Sequence, residues 1–152
     1  MEEKFMKDAI KQAKKAAAIG ETPIGAVIVH NGKIIARGYN KRETKKNALL
    51  HAEVIAINKA CKGLGGWRLP NCDMYVTLEP CPMCAGAIIN SRIDNVYFGA
   101  FDKKSGCCGS AANLFEKGLF NHDVHFEGGI MENECADILS SFFKELRQKK
   151  KK

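Results

Sequence analysis

Four residues in two short segments have the types and spacing of a catalytic metal site. Glu53 follows His51 by two positions, and Cys84 follows Cys81 by three. One imidazole and two thiolates can bind Zn²⁺ tetrahedrally and leave the fourth position for water, whereas a closed structural site takes four protein ligands. Zinc lowers the pKa of a bound water from about 15.7 to near 7.

A carboxylate beside such a metal can carry protons between the water and a leaving group. We therefore predict one zinc ion per chain, bound by His51, Cys81 and Cys84. Glu53 is predicted to act as the general acid–base group and to stay out of the ligand set.

These side chains converge only if both segments stand at the start of a helix. Positions i and i+3 share a helix face, so Cys81 and Cys84 can reach one ion from the first turn. The partial positive charge of a helix N-terminus also favours thiolates. His51 and Glu53 would point nearly opposite ways inside a regular helix, since each residue turns about 100°. Their helix must therefore begin at or just after His51.

The remaining pattern predicts an α/β fold around these two helices. Apolar periodicity predicts helices over residues 2–19, 51–62, 81–91 and 133–148. Strands are predicted over residues 25–30, 33–37, 73–78, 95–99 and near 124–126. Asn31-Gly32 is a strong signal for a type I′ hairpin turn. We predict a three-layer α/β/α sandwich around a mixed five-stranded sheet, in which the third and fourth strands are parallel.

The composition favours a single cytoplasmic domain. At 152 residues, the chain is predicted to form one domain over residues 1–148, followed by a basic tail over residues 149–152. No secretory leader is visible and no apolar run approaches the roughly 20 residues that span a bilayer, so we expect no membrane association. In a reducing cytoplasm the 7 cysteines would be thiols or metal ligands.

The formal net charge of +7 favours a polyanionic partner through non-specific attraction. Four of these charges are the lysines of the tail, which is either a solvated chain end or a contact to phosphates. Charge alone therefore leaves the partner open.

The chain resembles the bacterial tRNA-specific adenosine deaminases of the cytidine deaminase superfamily over nearly its whole length. His-Ala-Glu at residues 51–53 and Pro-Cys-Pro-Met-Cys at residues 80–84 form the established metal motif of that superfamily. Segments further along the chain give the more specific match, and they are Gly-Ala-Phe-Asp at residues 99–102, Gly109-Ser110, Asn121-His122 and Phe142-Phe143.

The resemblance implies a homodimer that hydrolyses adenosine to inosine at the wobble position of the tRNA anticodon and releases ammonia. Both subunits would hold the anticodon loop. The implied substrate-binding residues are Asn40 at the flipped base, Ala52, then Asp102, Lys104 and Asn121 along the nucleotide channel, and Phe143 and Arg147 beside the flanking nucleotides. Each of these residue types also has a structural alternative to substrate binding: an Asp can cap a loop, an Asn can occupy a turn and a Phe can be buried in the core. Burial in the core is the favoured alternative for Phe142.

One segment departs from the family pattern. Residues 47–50 read Asn-Ala-Leu-Leu, where the family commonly has Asp-Pro-Thr-Ala. Leu50 is larger than alanine, and its predicted position beside the pocket mouth bears on the shape of the pocket. The zinc ligands are unaffected.

Two alternative functions remain open at this point. A guanine or cytosine deaminase of the same superfamily would keep the zinc and the glutamate but have no use for a basic surface. A non-enzymatic RNA-binding module would carry a structural zinc completed by Cys107 and Cys108. Release of ammonia separates the enzymes from the binding module.

Overall fold

Four helices and five strands form the part of the chain that the computed structural model describes, residues 2–150. The helices are α1 (Glu3–Ala18), α2 (Ala52–Leu64), α3 (Pro82–Asn90) and α4 (Glu132–Lys150). The strands are β1 (Gly25–His30), β2 (Lys33–Tyr39), β3 (Cys72–Leu78), β4 (Asn95–Ala100) and β5 (His125–Glu127). Of the predicted tail, Lys151 and Lys152 lie outside the described residues.

The strands form one open mixed sheet in the order β2-β1-β3-β4-β5. β1 is antiparallel to both β2 and β3, whereas β3, β4 and β5 are parallel to one another. The predicted five-stranded mixed sheet and the parallel pair around α3 are therefore confirmed.

Side chains of the central strands alternate between two apolar cores, one on each face of the sheet. In β1, Ala26 and Ile28 join the core that contains residues of α2 and α3. Val27 and Val29 join the core that contains residues of α1 and α4. This alternation follows from the two-residue period of a strand and gives the predicted three layers.

Local sequence features determine where the strands and helices near the candidate site begin and end. Asn31 and Gly32 have φ angles of 51° and 77°, which confirms the predicted hairpin turn. α2 begins at Ala52, directly after His51, which confirms the predicted start of this helix. β2 continues to Tyr39, two residues beyond the prediction. In this extension, Gly38 lies so close to α2 that an added Cβ would meet the carbonyl oxygen of Ala52.

Helix α4 is covered much less than α1. Its N-terminal half packs on the sheet through Cys135, Ile138 and Leu139, whereas Phe142 is half-buried. The expectation that Phe142 belongs to the core was therefore wrong, because its side chain lines a groove between α1 and α4 instead. Among residues 2–150, no helix combines the length and apolar character needed to cross a membrane.

Candidate metal centre and active site

The proposed ligands stand where two helices begin. His51 is the N-cap residue of α2 and Cys81 is the N-cap residue of α3, both in extended backbone conformation. Cys84 lies in the first turn of α3. Pro82, rather than Pro80, occupies the first position of this helix. Proline is well tolerated there, because the backbone N–H that it lacks would have no partner within the helix. The two helix starts therefore present their side chains to one point.

The distances between the donor atoms fit one zinc ion. His51 Nδ1 lies 3.6 Å from the Sγ atoms of both Cys81 and Cys84, and the donor atoms of all three residues lie within 4.8 Å of one another. Tetrahedral zinc with usual bond lengths places nitrogen and sulfur ligands about 3.6 Å apart. Two soft sulfurs and one imidazole also match the ligand preference of zinc.

Cys107 and Cys108 do not join this group. Within residues 2–150, the potential metal-binding group consists of His51, Cys81 and Cys84 alone. Cys107 and Cys108 are buried free thiols. A fourth cysteine ligand, which the structural-zinc alternative requires, is therefore not supplied by either of them.

The two ligand thiols differ in acidity in the metal-free chain. A hydrogen bond from the Cys84 thiol, aided by His51, lowers the pKa of Cys81 to about 4. The same hydrogen bond, together with burial, raises the pKa of Cys84 far above its usual range. Because zinc binds thiolates, coordination through both sulfurs releases thiol protons.

Glu53 lies beside the ligands, in the first turn of α2, and its side chain is only 4% exposed. Burial raises the pKa of this carboxyl to about 7. A group that titrates near neutral pH can both accept and return a proton, which suits a general acid–base residue.

A cavity of about 680 Å³ opens above these residues. His51, Glu53 and Cys81 form its floor, and Phe101 and Phe143 are partly exposed apolar residues on its walls. The positively charged residues that line it are Arg42, Lys103 and Lys104. We use the name floor for His51, Glu53 and Cys81 together with the buried ligand Cys84, which does not itself line the cavity. The rim consists of Arg42, Phe101, Asp102, Lys103, Lys104 and Phe143.

Three of the predicted substrate contacts lie on this rim: Asp102, Lys104 and Phe143. The Asp102 carboxylate also accepts hydrogen bonds from the backbone N–H groups of Lys104 and Ser105, each at 3.2 Å. Asp102 therefore caps its own loop, the structural alternative considered for it, while also lining the cavity.

The other predicted contacts do not line the cavity. Asn40 is 5% exposed; its Nδ2 donates to the carbonyl of Thr22, and its Oδ1 accepts from the N–H of Arg42. Ala52 is fully buried at the start of α2. Asn121 is exposed in the loop before β5, and Arg147 is exposed on α4 beyond Phe143. Their roles as substrate contacts stay predictions.

Leu50 is half-buried and does not line the cavity either. Its carbonyl accepts a hydrogen bond from the N–H of Lys41 at 3.0 Å, which closes the base of the intervening loop. None of residues 47–50, the segment that departs from the family pattern, lines this cavity.

Two buried carboxylates near the cavity were not found from the sequence. Glu21 is 1% exposed and accepts hydrogen bonds from the N–H groups of Glu43 and Thr44. Burial opposes its ionisation, but these hydrogen bonds outweigh burial and lower the pKa of Glu21. Glu79 is 2% exposed and binds the loop after β4. No local pattern indicates a carboxylate whose partners are distant backbone amides.

Known proteins resemble this chain over most of its length. A family model of the cytidine and deoxycytidylate deaminase zinc-binding region matches residues 1–100. The tRNA-specific adenosine deaminase of Bacillus subtilis is 56% identical over 150 residues, which is 99% of this chain and 93% of that protein.

Solved structures match the fold as well. One, from work on A-to-I editing by tRNA:A34 deaminases at the wobble position, has a TM-score of 0.86 and 43% identity and covers 90% of this chain and 99% of the other. A guanine deaminase from Bacillus subtilis has a TM-score of 0.65 and 39% identity and covers 84% of each chain.

Proposed function

This chain belongs to the zinc-binding cytidine and deoxycytidylate deaminase family and, within it, to the tRNA-specific adenosine deaminases; from that premise we propose that it hydrolyses adenosine to inosine and ammonia at the wobble position of a tRNA anticodon. The observation that carries the proposal is the convergence of His51, Cys81, Cys84 and Glu53 beneath a basic and aromatic rim. The floor suits base deamination and the rim suits RNA binding.

The chemistry divides among the residues of the floor. His51, Cys81 and Cys84 would hold the zinc, which when bound supplies the Lewis acidity that makes water nucleophilic at neutral pH. Glu53 accepts a proton from the attacking water and delivers it to the leaving amino nitrogen. The water adds at C6 of adenine, the amino group leaves as ammonia, and inosine remains.

The rim accounts for the choice of an RNA substrate. A base must leave its stack to reach the floor, which costs a few kcal/mol, and an anticodon loop already presents unpaired bases. Phe143 and Phe101 offer aromatic faces to such bases, and Arg42 and Lys104 offer charge to the phosphates. Arg147, Asn40 and Ala52 complete the proposed contacts, as the family resemblance implies.

The proposal includes a homodimer of cytoplasmic chains, each with one deaminase domain over residues 1–148. As the family resemblance implies, both copies would hold the anticodon loop, and Asn121 does not line the cavity of its own chain. Leu119 and Phe120, next to Asn121, are about half exposed and offer apolar area for association. Sedimentation equilibrium of the purified protein should give twice the chain mass, and a monomer at all concentrations would contradict this part.

The deciding experiment compares RNA with small molecules. The zinc-loaded protein should form inosine in an anticodon minihelix and act poorly on free adenosine, guanine and cytosine. Affinity for the minihelix should fall steeply with salt, because binding to phosphates releases counterions. Rapid turnover of guanine without inosine in the minihelix would favour the second candidate function, that of a guanine deaminase. The 39% identity to the Bacillus subtilis guanine deaminase is the observation that supports this candidate.

A further inference from the structure

Glu79 is a buried acidic residue that the chemistry above does not use. It connects β3 to the Pro80-Cys81 segment, its side chain is 2% exposed, and it lines the cavity. None of the ion pairs within residues 2–150 involves it. A buried carboxylate without a cation must be stabilised by hydrogen bonds, or it costs several kcal/mol.

All the side-chain hydrogen bonds of Glu79 come from the loop that follows β4. Oε1 accepts from the N–H of Asp102 at 3.0 Å and from the hydroxyl of Ser110. Oε2 accepts from the N–H groups of Cys108 and Ser110 at 2.9 and 3.1 Å. One carboxylate thus binds both ends of residues 102–110, the segment that carries Asp102 and Lys104.

The loop is shaped to bring its backbone to this carboxylate. A Cβ added at Gly106 would collide with the Glu79 carboxyl group and with the carbonyl oxygen of Asp102. The N–H of Gly106 donates to that same carbonyl at 2.8 Å, and the N–H of Cys107 donates to the carbonyl of Pro80 at 2.8 Å. The loop therefore closes around Glu79 with no room for a side chain at position 106.

We infer that Glu79 is a positioning residue whose carboxylate fixes residues 102–110 in the shape that lets Asp102 and Lys104 face the RNA. Its effect is on substrate affinity rather than on the chemical step. The metal ligands stand at the starts of α2 and α3. The hydrogen bond from the Cys107 N–H to the Pro80 carbonyl, which joins the loop to the segment before Cys81, does not involve the Glu79 side chain. The inference rests on the proposed function for its substrate, but its structural part concerns the loop alone.

Glu79→Gln tests the inference with little change in shape. The NH₂ group of the glutamine should take the place of Oε1, because the Ser110 hydroxyl can accept a hydrogen bond from it instead of donating one. The N–H of Asp102 then has no acceptor, whereas the remaining oxygen still accepts from the N–H groups of Cys108 and Ser110. Hydrogen exchange of the Asp102 amide should accelerate more than that of Cys108. For an anticodon minihelix, we expect KM to rise about tenfold, as for the loss of a charge-assisted hydrogen bond, with kcat within about threefold.

The matched control is Asp73→Asn, the same change of carboxylate to amide at the other end of β3. Asp73 accepts a hydrogen bond from Asn95 Nδ2 at 2.7 Å, remote from the cavity. This variant should leave KM and the exchange of Asp102 unchanged. Zinc content is measured for every variant, and it should remain one per chain in Glu79→Gln.

A milder variant keeps the test decisive if Glu79→Gln fails to fold. Ser110→Ala removes one donor from an exposed residue and should raise KM about two- to threefold. An unchanged KM in both variants, or a fall confined to kcat, would overturn the inference. If the wild type forms no inosine, the proposed function fails together with the affinity argument, and Asp102 exchange alone then decides whether Glu79 holds the loop.

Discussion

The floor and the rim of the cavity are built from different kinds of structure. Glu53 and Cys84 sit in the first turns of helices that pack into the core, and they are 4% and 0% exposed. Phe101 and Phe143 on the rim are 48% and 41% exposed. A side chain held in a core keeps one geometry, as chemistry requires, whereas an exposed one can adapt to a flexible ligand. Changes in the floor should therefore act on rate, and changes in the rim on affinity.

Loss of a floor ligand should have the largest effect. Cys84→Ser replaces a thiolate by a hydroxyl, a poor zinc ligand, so zinc per chain and deaminase activity should both fall to near background. Cys135→Ser is the matched control, because Cys135 is equally buried but outside the ligand group. If Cys84→Ser retains both its full zinc content, measured by metal analysis, and its full activity, the assignment of Cys84 as a zinc ligand is wrong.

Glu53→Gln should separate chemistry from metal binding within the floor. We expect zinc to remain bound while kcat falls roughly 10²- to 10⁴-fold, the usual range for loss of a general acid–base group. KM for the minihelix should change little, because Glu53 lies beneath the rim. Zinc loss in this variant would instead identify Glu53 as a ligand, and normal turnover would place the proton transfer elsewhere.

The burial of Glu53 should also appear in the stability of the metal-free protein. Its pKa of about 7 in the folded chain lies above the ordinary value of 4.5. The folded state therefore binds more protons than the unfolded state within this window, and stability falls as pH rises through it. At pH 8, Glu53→Gln should be more stable than the wild type by on the order of 3 kcal/mol.

Denaturant unfolding in the presence of a chelator, at pH 5 and pH 8, measures this difference. The gap should shrink to about 1 kcal/mol or less at pH 5. Glu116→Gln, at an exposed position, should follow the wild type at both pH values. A Glu53→Gln curve parallel to the wild type would contradict the assignment of a cost to this buried carboxyl.

The smallest effect is expected at the rim, where two adjacent phenylalanines provide a matched pair. Phe143 lines the active-site cavity, whereas Phe142 faces a groove between α1 and α4. Phe143→Ala should raise KM about five- to 100-fold, as for loss of one base-stacking contact, with kcat nearly unchanged. Phe142→Ala should lower the melting temperature and leave KM unchanged. Equal KM values for both variants would remove Phe143 from the RNA surface.

The same contrast explains what the sequence could predict. The floor depends on local rules: His51 before a helix, two cysteines three positions apart, and a carboxylate in the first turn. These rules predicted the start of α2, and the structure brings the donor atoms of the three predicted ligands within 4.8 Å of one another. The three layers followed from strand and helix periods.

The positions of the rim residues depend on contacts between segments that are far apart in the chain, and no short sequence pattern indicates such contacts. Glu21 and Glu79 bind backbone amides more than 20 residues away. Asn121 and Arg147, predicted beside the nucleotide, lie outside the cavity of their own chain. Phe142 lies in a groove rather than in the predicted core, because apolar spacing alone does not distinguish a buried position from one that lines a surface groove.

The close approach of β2 and α2 makes the active site sensitive to a position that no catalytic motif contains. Any side chain at Gly38 would push against the peptide that joins His51 to Glu53 through Ala52. A methyl group there would displace the metal ligand and the proton carrier together. Natural variation at Gly38 should therefore be as restricted as at the ligands, although Gly38 does not line the cavity.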